Sequence, residues 1–199
     1  MKKIFFGLLA FTAIAFTACG SNNSNSTNNQ SAVAETTAAK QAVDTTPVNT
    51  AAATVSIKDI IGAYLQMKNA FTKDNTSEAA TAGKTLQAAF INFDTKTLSP
   101  QQQKAFADIT DDAKEHAEHI GANGGNIAHQ REHFDMLSKD MADLIKTFGN
   151  GGQTLYKDFC PMYNKGKGAY WISETKEIKN PYYGKAMSTC GTVKEEIKQ

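Results

Sequence analysis

Two short segments near the C-terminus carry the residues best suited to hold a soft metal ion. One ends in Phe159-Cys160-Pro161-Met162, the other in Met187-Ser188-Thr189-Cys190-Gly191. Each offers one thiol and one thioether. In an extended chain residues i and i+2 point to the same side, which would bring Cys160 and Met162 together. Across a turn residues i and i+3 approach, which would do the same for Met187 and Cys190. Four sulfur donors select Cu(I) over hard ions, and they are poor ligands for magnesium or calcium, which take oxygen. The same residues support a plainer reading. Two cysteines in an exported chain commonly form a disulfide, and closing a loop of about 30 residues stabilises a fold by roughly 3–4 kcal/mol in the chain-entropy model. Methionines commonly fill cores. A dithiol metal site and a disulfide can also be the reduced and oxidised states of one protein.

Imidazoles form the second candidate set. His129 and His133 stand four residues apart in Ile127-Ala128-His129-Gln130-Arg131-Glu132-His133-Phe134, so on a helix they share a face. Two histidines at that spacing make half of a transition-metal site. Gln130 follows the first histidine where a zinc-protease helix requires glutamate, which excludes that reading. The alternative is an ordinary solvated helix face, with Arg131 and Glu132 engaged in salt bridges. His116 and His119 lie just upstream. His116 borders an apolar stripe and reads as a core histidine, and His119 is nearer the next chain break; either could face the C-terminal segment. Cys160, Cys190, His129 and His133 together would also make a tetrahedral zinc set, which leaves both methionines without a role. No nucleophile–base constellation and no cofactor fingerprint is present, so an enzyme is not expected.

These residues need a frame. Ile57, Ile60, Ile61, Tyr64 and Phe71 recur at helical spacing, with Ser56 as a cap and Asp59 three residues on. Asn75 with Glu78 marks a second helix start, whose stripe is Leu86, Ala89, Phe90 and Phe93. Ser99-Pro100-Gln101-Gln102 combines a cap, a proline at the first helical position and a glutamine at the third, and opens a third helix lined by Phe106, Ile109, Ala113 and Ile120. Gly121 to Gly125 breaks it. A fourth helix from about Asn126 to Phe148 turns Phe134, Leu137, Met141, Leu144, Ile145 and Phe148 inward. Short connections favour antiparallel neighbours, so the expected fold is mainly α, an antiparallel four-helix bundle. From about residue 155 glycines, prolines and aromatics replace the helical period, and an irregular or short-stranded Cys/Met flap is expected, with Trp171 and the tyrosines packing it over the helices.

The N-terminus sets the compartment. Lys2 and Lys3 precede an apolar run from Ile4 to Phe16. That run is shorter than the roughly 20 residues a membrane span needs, and it reads as an export signal. Phe16-Thr17-Ala18-Cys19 resembles the lipobox of bacterial lipoproteins, with Phe16 where leucine is usual. The resemblance implies cleavage after residue 18 and lipidation of Cys19. The expected organisation is a signal peptide over residues 1–18, a lipidated and disordered tether over 19–55 rich in Ser, Asn, Thr and Ala, and a folded metal-binding domain over 56–199. The expected localisation is the cell envelope of a diderm bacterium, membrane-anchored and periplasm-facing, where disulfides are permitted. Of three cysteines, the lipid takes Cys19 and leaves Cys160 and Cys190 as an even pair. Loss of Lys2 and Lys3 leaves 19 basic residues of the original 21 against 20 acidic ones. No basic face stands out, and a nucleic-acid partner is not expected on that ground.

The stretch from His129 to Phe134, then Cys160-Pro161-Met162, Ala169-Tyr170-Trp171-Ile172-Ser173, Asn180-Pro181-Tyr182-Tyr183-Gly184, Met187 and Cys190-Gly191 resembles a bacterial domain of unknown function. That domain occurs in stand-alone lipoproteins and at the C-terminus of periplasmic adaptor proteins of copper and silver efflux pumps. Cys160-Pro161-Met162 also resembles the Cys-Pro-Met core of short heavy-metal-binding modules, although Tyr163-Asn164 follows where those modules have His-Pro. The resemblance implies a membrane-tethered heavy-metal module, most simply for Cu(I) with zinc as the alternative, that serves copper efflux or homeostasis. Its partner would be an efflux adaptor or a metallochaperone. The ligand set expected from the donor chemistry of the residues themselves is Cys160, Met162, Met187 and Cys190, with His129 and His133 contributing directly or taking a harder ion.

Overall fold

The computed structural model describes residues 57–198. The expected signal segment, Cys19, the expected tether and Ser56 lie outside them. Four long helices come first: α1 (Lys58–Thr72), α2 (Thr76–Asn92), α3 (Pro100–Ala122) and α4 (Ile127–Phe148). Three strands follow, β1 (Leu155–Cys160), β2 (Ala169–Ser173) and β3 (Thr192–Ile197), in an antiparallel sheet of order β2-β1-β3. The fold is therefore mainly helical with a small C-terminal sheet, and the segment expected to be an irregular or short-stranded flap is three short strands.

The helix starts follow from side-chain caps, which satisfy backbone N–H groups that the first turn leaves without partners. Asn75 accepts from the Glu78 amide at 3.0 Å. Ser99 accepts from the Gln102 amide at 3.3 Å while Gln102 accepts from the Ser99 amide at 3.0 Å, with Pro100 leading α3. Asn126 accepts from the His129 amide at 3.3 Å and opens α4. The start of α1 differs from expectation. Ile57 occupies the cap position with no side-chain cap bond, because its apolar side chain is needed in the core, where it is buried.

Successive helices pack on one another. The pairing of Phe93 with Phe106, ring centroids 4.4 Å apart, and of Phe106 with Phe148 at 5.7 Å puts the end of α2, the start of α3 and the end of α4 at one level. Two glycines let α2 and α3 approach closely: a Cβ on Gly83 would stand 2.8 Å from the Ala117 carbonyl oxygen and 2.9 Å from the Gly121 nitrogen. An aromatic column joins α1, α4 and the C-terminal segment. Phe134 lies 5.3 Å from Tyr64, 5.0 Å from Phe71 and 5.6 Å from Tyr182. The Tyr64 hydroxyl meets Ser138 Oγ at 2.8 Å and accepts from the Ile172 amide at 3.1 Å, so one side chain ties α1 to α4 and β2. Aromatic and aliphatic burial of this kind supplies most of the stabilisation.

The long connection from β2 to β3 is held by polar contacts. Buried Asn180 accepts from the Tyr182 and Tyr183 amides at 2.8 and 3.1 Å and donates to the Cys190 carbonyl at 2.6 Å. Arg131 on α4 donates to the carbonyls of Pro181 and Phe71 at 2.7 and 3.0 Å and to Asp74 at 2.7 Å. The expected salt bridge of Arg131 thus reaches across to the end of α1. At the other end of the sheet, buried Lys68 pairs with Glu174 at 2.6 Å.

Candidate functional site: a histidine cluster between two helices

The chain has four histidines, and all four converge where α3 and α4 leave and re-enter their shared turn. The rings of His119 and His133 stack 4.3 Å apart, His129 stands 4.6 Å from His133 and 6.0 Å from His119, and His116 lies 5.4 Å from His133. His119, His129 and His133 each offer one ligand atom such that all lie within 4.8 Å of one another. Imidazole nitrogens bound to one transition metal sit about 2.0–2.1 Å from it, hence about 3.3 Å apart, so small rotamer adjustments would complete a three-imidazole site. All three side chains are partly exposed, which leaves the cluster reachable from solvent.

Local electrostatics favour the neutral form of His133 and His116. Burial, followed by the neighbouring imidazoles of His119, His129 and His116, pushes the His133 pKa down to about 4. Burial lowers His116 as well, against the opposing charges of Glu115 and Asp112. A neutral imidazole keeps a lone pair for a metal ion. Outside the three, His116 Nδ1 stands 3.3 Å from His133 Nδ1 and its Nε2 stands 3.9 Å from Asp140 Oδ2. Burial, then the charges of Asp112 and Asp143, raises the Asp140 carboxyl to about 6. His129 Nδ1 lies 3.7 Å from Glu132, and His119 Nε2 lies 3.7 Å from Glu115.

The sulfur donors are arranged differently. Cys160 and Cys190 meet with their Sγ atoms 3.5 Å apart, and the contact with Cys160 raises the Cys190 thiol pKa. Cys160 is buried at the end of β1, paired with Ala169. The strand stops there: Met162 adopts φ −87°, ψ −21°, so the extended geometry expected to place Cys160 and Met162 on one side does not hold. Pro161 accounts for this, since it has no N–H to continue the ladder. The Met162 side chain is 53% exposed. Met187 closes a single 3₁₀ turn, and the Cys190 amide donates to its carbonyl at 3.2 Å, which gives the expected approach across a turn at the backbone level.

The structure thus groups His129 and His133 with His119 and His116, and groups Cys160 with Cys190. The three-imidazole set contains no cysteine. His119 was outside the ligand set drawn from the sequence, although a signal for it existed. In an antiparallel helical hairpin, residues equally far from the turn face each other. His116 and His133 are symmetric about position 124.5, and His119 and His129 about position 124, so Gly124 at the turn pairs them.

Residues 60–153 match a family model described as a protein of unknown function (DUF3347). The matched stretch includes all four histidines and ends before β1 and Cys160. No curated protein and no solved structure matches the chain.

Proposed function

We propose that this protein is a metal-binding module of the cell envelope, lipid-anchored through Cys19 and facing the periplasm, that holds copper at a centre formed by His119, His129 and His133. The observation that carries the proposal is the convergence of three imidazoles, with ligand atoms within 4.8 Å, from two helices that share one turn. Imidazole suits copper, zinc and nickel, and copper stands at the top of the affinity order for divalent ions. In this reading α1 to α4 are an antiparallel four-helix bundle that frames the centre. The tether presents it to an efflux adaptor or metallochaperone, which delivers or removes the ion. The ion is cargo, and no reaction is assigned to it.

A second reading rests on the 3.5 Å separation of the Cys160 and Cys190 sulfurs. In the reduced protein that dithiol would take Cu(I), with Met162 and Met187 as neighbouring thioethers; in the oxidised protein it would be a disulfide. Metal content after equilibrium dialysis against Cu(II) or Zn(II) separates the readings. Under the histidine reading, changing His119, His129 and His133 together to Gln removes the bound ion, and changing Cys160 and Cys190 to Ser leaves it. Retention of one ion per chain by the triple Gln variant would overturn the histidine centre. Equal retention of zinc and copper in competition would remove the preference for copper.

A further inference from the structure

His116 lies against the proposed centre without belonging to the three-imidazole set. We infer that His116 is a positioning residue: oriented by Asp140, it accepts the Nδ1 proton of His133 and so obliges His133 to present Nε2 to an ion. The inference rests on the histidine centre proposed above.

Two neutral imidazoles with their Nδ1 atoms 3.3 Å apart have one donor and one acceptor between them. Either His133 donates to His116 or the reverse, and the choice decides which His133 nitrogen is bare. Asp140 makes that choice. Its Oδ2 stands 3.9 Å from His116 Nε2 and is buried with no hydrogen-bond partner. A carboxylate oxygen only accepts, and a buried one without a donor costs free energy. A proton on His116 Nε2, 3.9 Å away, is a candidate donor. A neutral imidazole protonated there has a bare Nδ1, which accepts. His133 must then carry its proton on Nδ1, and its lone pair falls on Nε2. A carboxylate that orients a histidine, which in turn orients a ligand, is a familiar arrangement around metal ions, and the outer partner also raises the basicity of the ligand.

The other two ligands have weaker versions of the same device. His129 Nδ1 faces Glu132 and His119 Nε2 faces Glu115, each at 3.7 Å, but those carboxylates are 70% and 68% exposed and water competes for them. The His116 and Asp140 side chains are 16% and 23% exposed. Among the described residues, His133 is therefore the ligand whose tautomer is set from within the protein.

The test is Zn(II) affinity of the full chain, by competition with a chromophoric chelator, in a Cys160→Ser/Cys190→Ser background that removes thiolate ligands. His116→Leu deletes the acceptor and should weaken binding 10–100-fold, the range typical of an outer-shell partner. His116→Asn places an amide oxygen where Nδ1 was and should restore affinity to within a few-fold of the parent. Asp140→Ala should weaken binding in the His116 protein and have no further effect when combined with His116→Asn, because an amide needs no carboxylate to fix its acceptor. The Co(II) absorption bands should keep their positions in His116→Asn, since the ligand atoms are unchanged. Equal losses for Leu and Asn, a shifted Co(II) spectrum in the Asn variant, or no loss in the Leu variant would each overturn the inference. Failure of the centre itself is distinguishable: the parent would then bind no more tightly than the triple Gln variant at His119, His129 and His133.

Discussion

Asp158 on β1 offers a stability test with a worked magnitude. It is buried, and neither carboxylate oxygen has a hydrogen-bond partner. It pairs across the ladder with Trp171, whose indole nitrogen is likewise buried and without a partner. Burial raises the Asp158 pKa from the ordinary 3.8 to about 7, against the opposing charge of Lys68, which is itself engaged by Glu174. A raised pKa means that the native chain holds the proton more strongly than the unfolded chain does. Well below pH 3.8 both states are protonated and the group contributes nothing. As pH rises toward 7 the unfolded chain gains a solvated carboxylate that the native chain cannot match, so stability falls; above 7 the loss levels off. At about 1.4 kcal/mol per pH unit the full loss is ~4 kcal/mol, and the part between pH 5 and pH 8 is about 2.5 kcal/mol. Asp158→Asn removes the titration. Relative to the parent, the variant should gain about 2.5 kcal/mol between pH 5 and pH 8, equivalent to roughly 10 °C in Tm for a domain of this size. Thermal or urea unfolding at both pH values measures this. Asp140, raised to about 6, acts in the same direction, and His133, lowered to about 4, acts in the opposite one; both cancel when the variant is compared with the parent at the same pH. A difference between variant and parent that does not change with pH would refute the reasoning.

Four further outcomes follow from the packing and from the N-terminal segment. Gly83→Ala should cost about 2 kcal/mol in urea unfolding, since the new Cβ would meet backbone atoms of α3 at 2.8 and 2.9 Å. Arg131→Ala should cost ~2–3 kcal/mol by the same assay, because it removes the guanidinium donor from Asp74, which keeps only the Lys185 amide, and the side-chain donor from two carbonyls at once. Oxidation of the purified protein should form a Cys160–Cys190 disulfide, add roughly 3 kcal/mol of stability that a reductant reverses, and have no effect on a Cys160→Ser variant. Cys19→Ser should move the protein from the membrane fraction to the soluble periplasm; retention in membranes would point to a different anchor.

The helical frame was readable because local chemistry and apolar period agree along it. Ser99, Pro100 and Gln102 announce α3 through the cap they form, and Asn75 does the same for α2. Tyr64, Phe71, Phe106, Phe134 and Leu137 sit at helical spacing and are all buried. Ile57 misled at the start of α1, since an apolar residue at a cap position carries no capping signal and Ser56 before it does. The C-terminal sheet was less readable: its strands are five or six residues long, too short for a two-residue period to stand out, and β3 carries a register break opposite Lys157 and Asp158. For the candidate site, the i, i+4 pair was visible on α4, but pairing it with His116 and His119 required treating two helices as one hairpin. Cys160 and Cys190, 30 residues apart, were matched by chemistry alone and prove adjacent in space.

The placement of His119, His129 and His133 about the α3–α4 turn has a kinetic consequence. The three span only 15 residues, so bringing them together closes a short loop at small entropic cost. Contacts so local in sequence form early, before the pairing of β1 with β3, which must close some 40 residues of chain. An ion bound by this set would hold the hairpin together during folding and would survive partial opening of the sheet. The centre would in that case behave as a self-contained helical hairpin, with α1, α2 and the strands acting as its support.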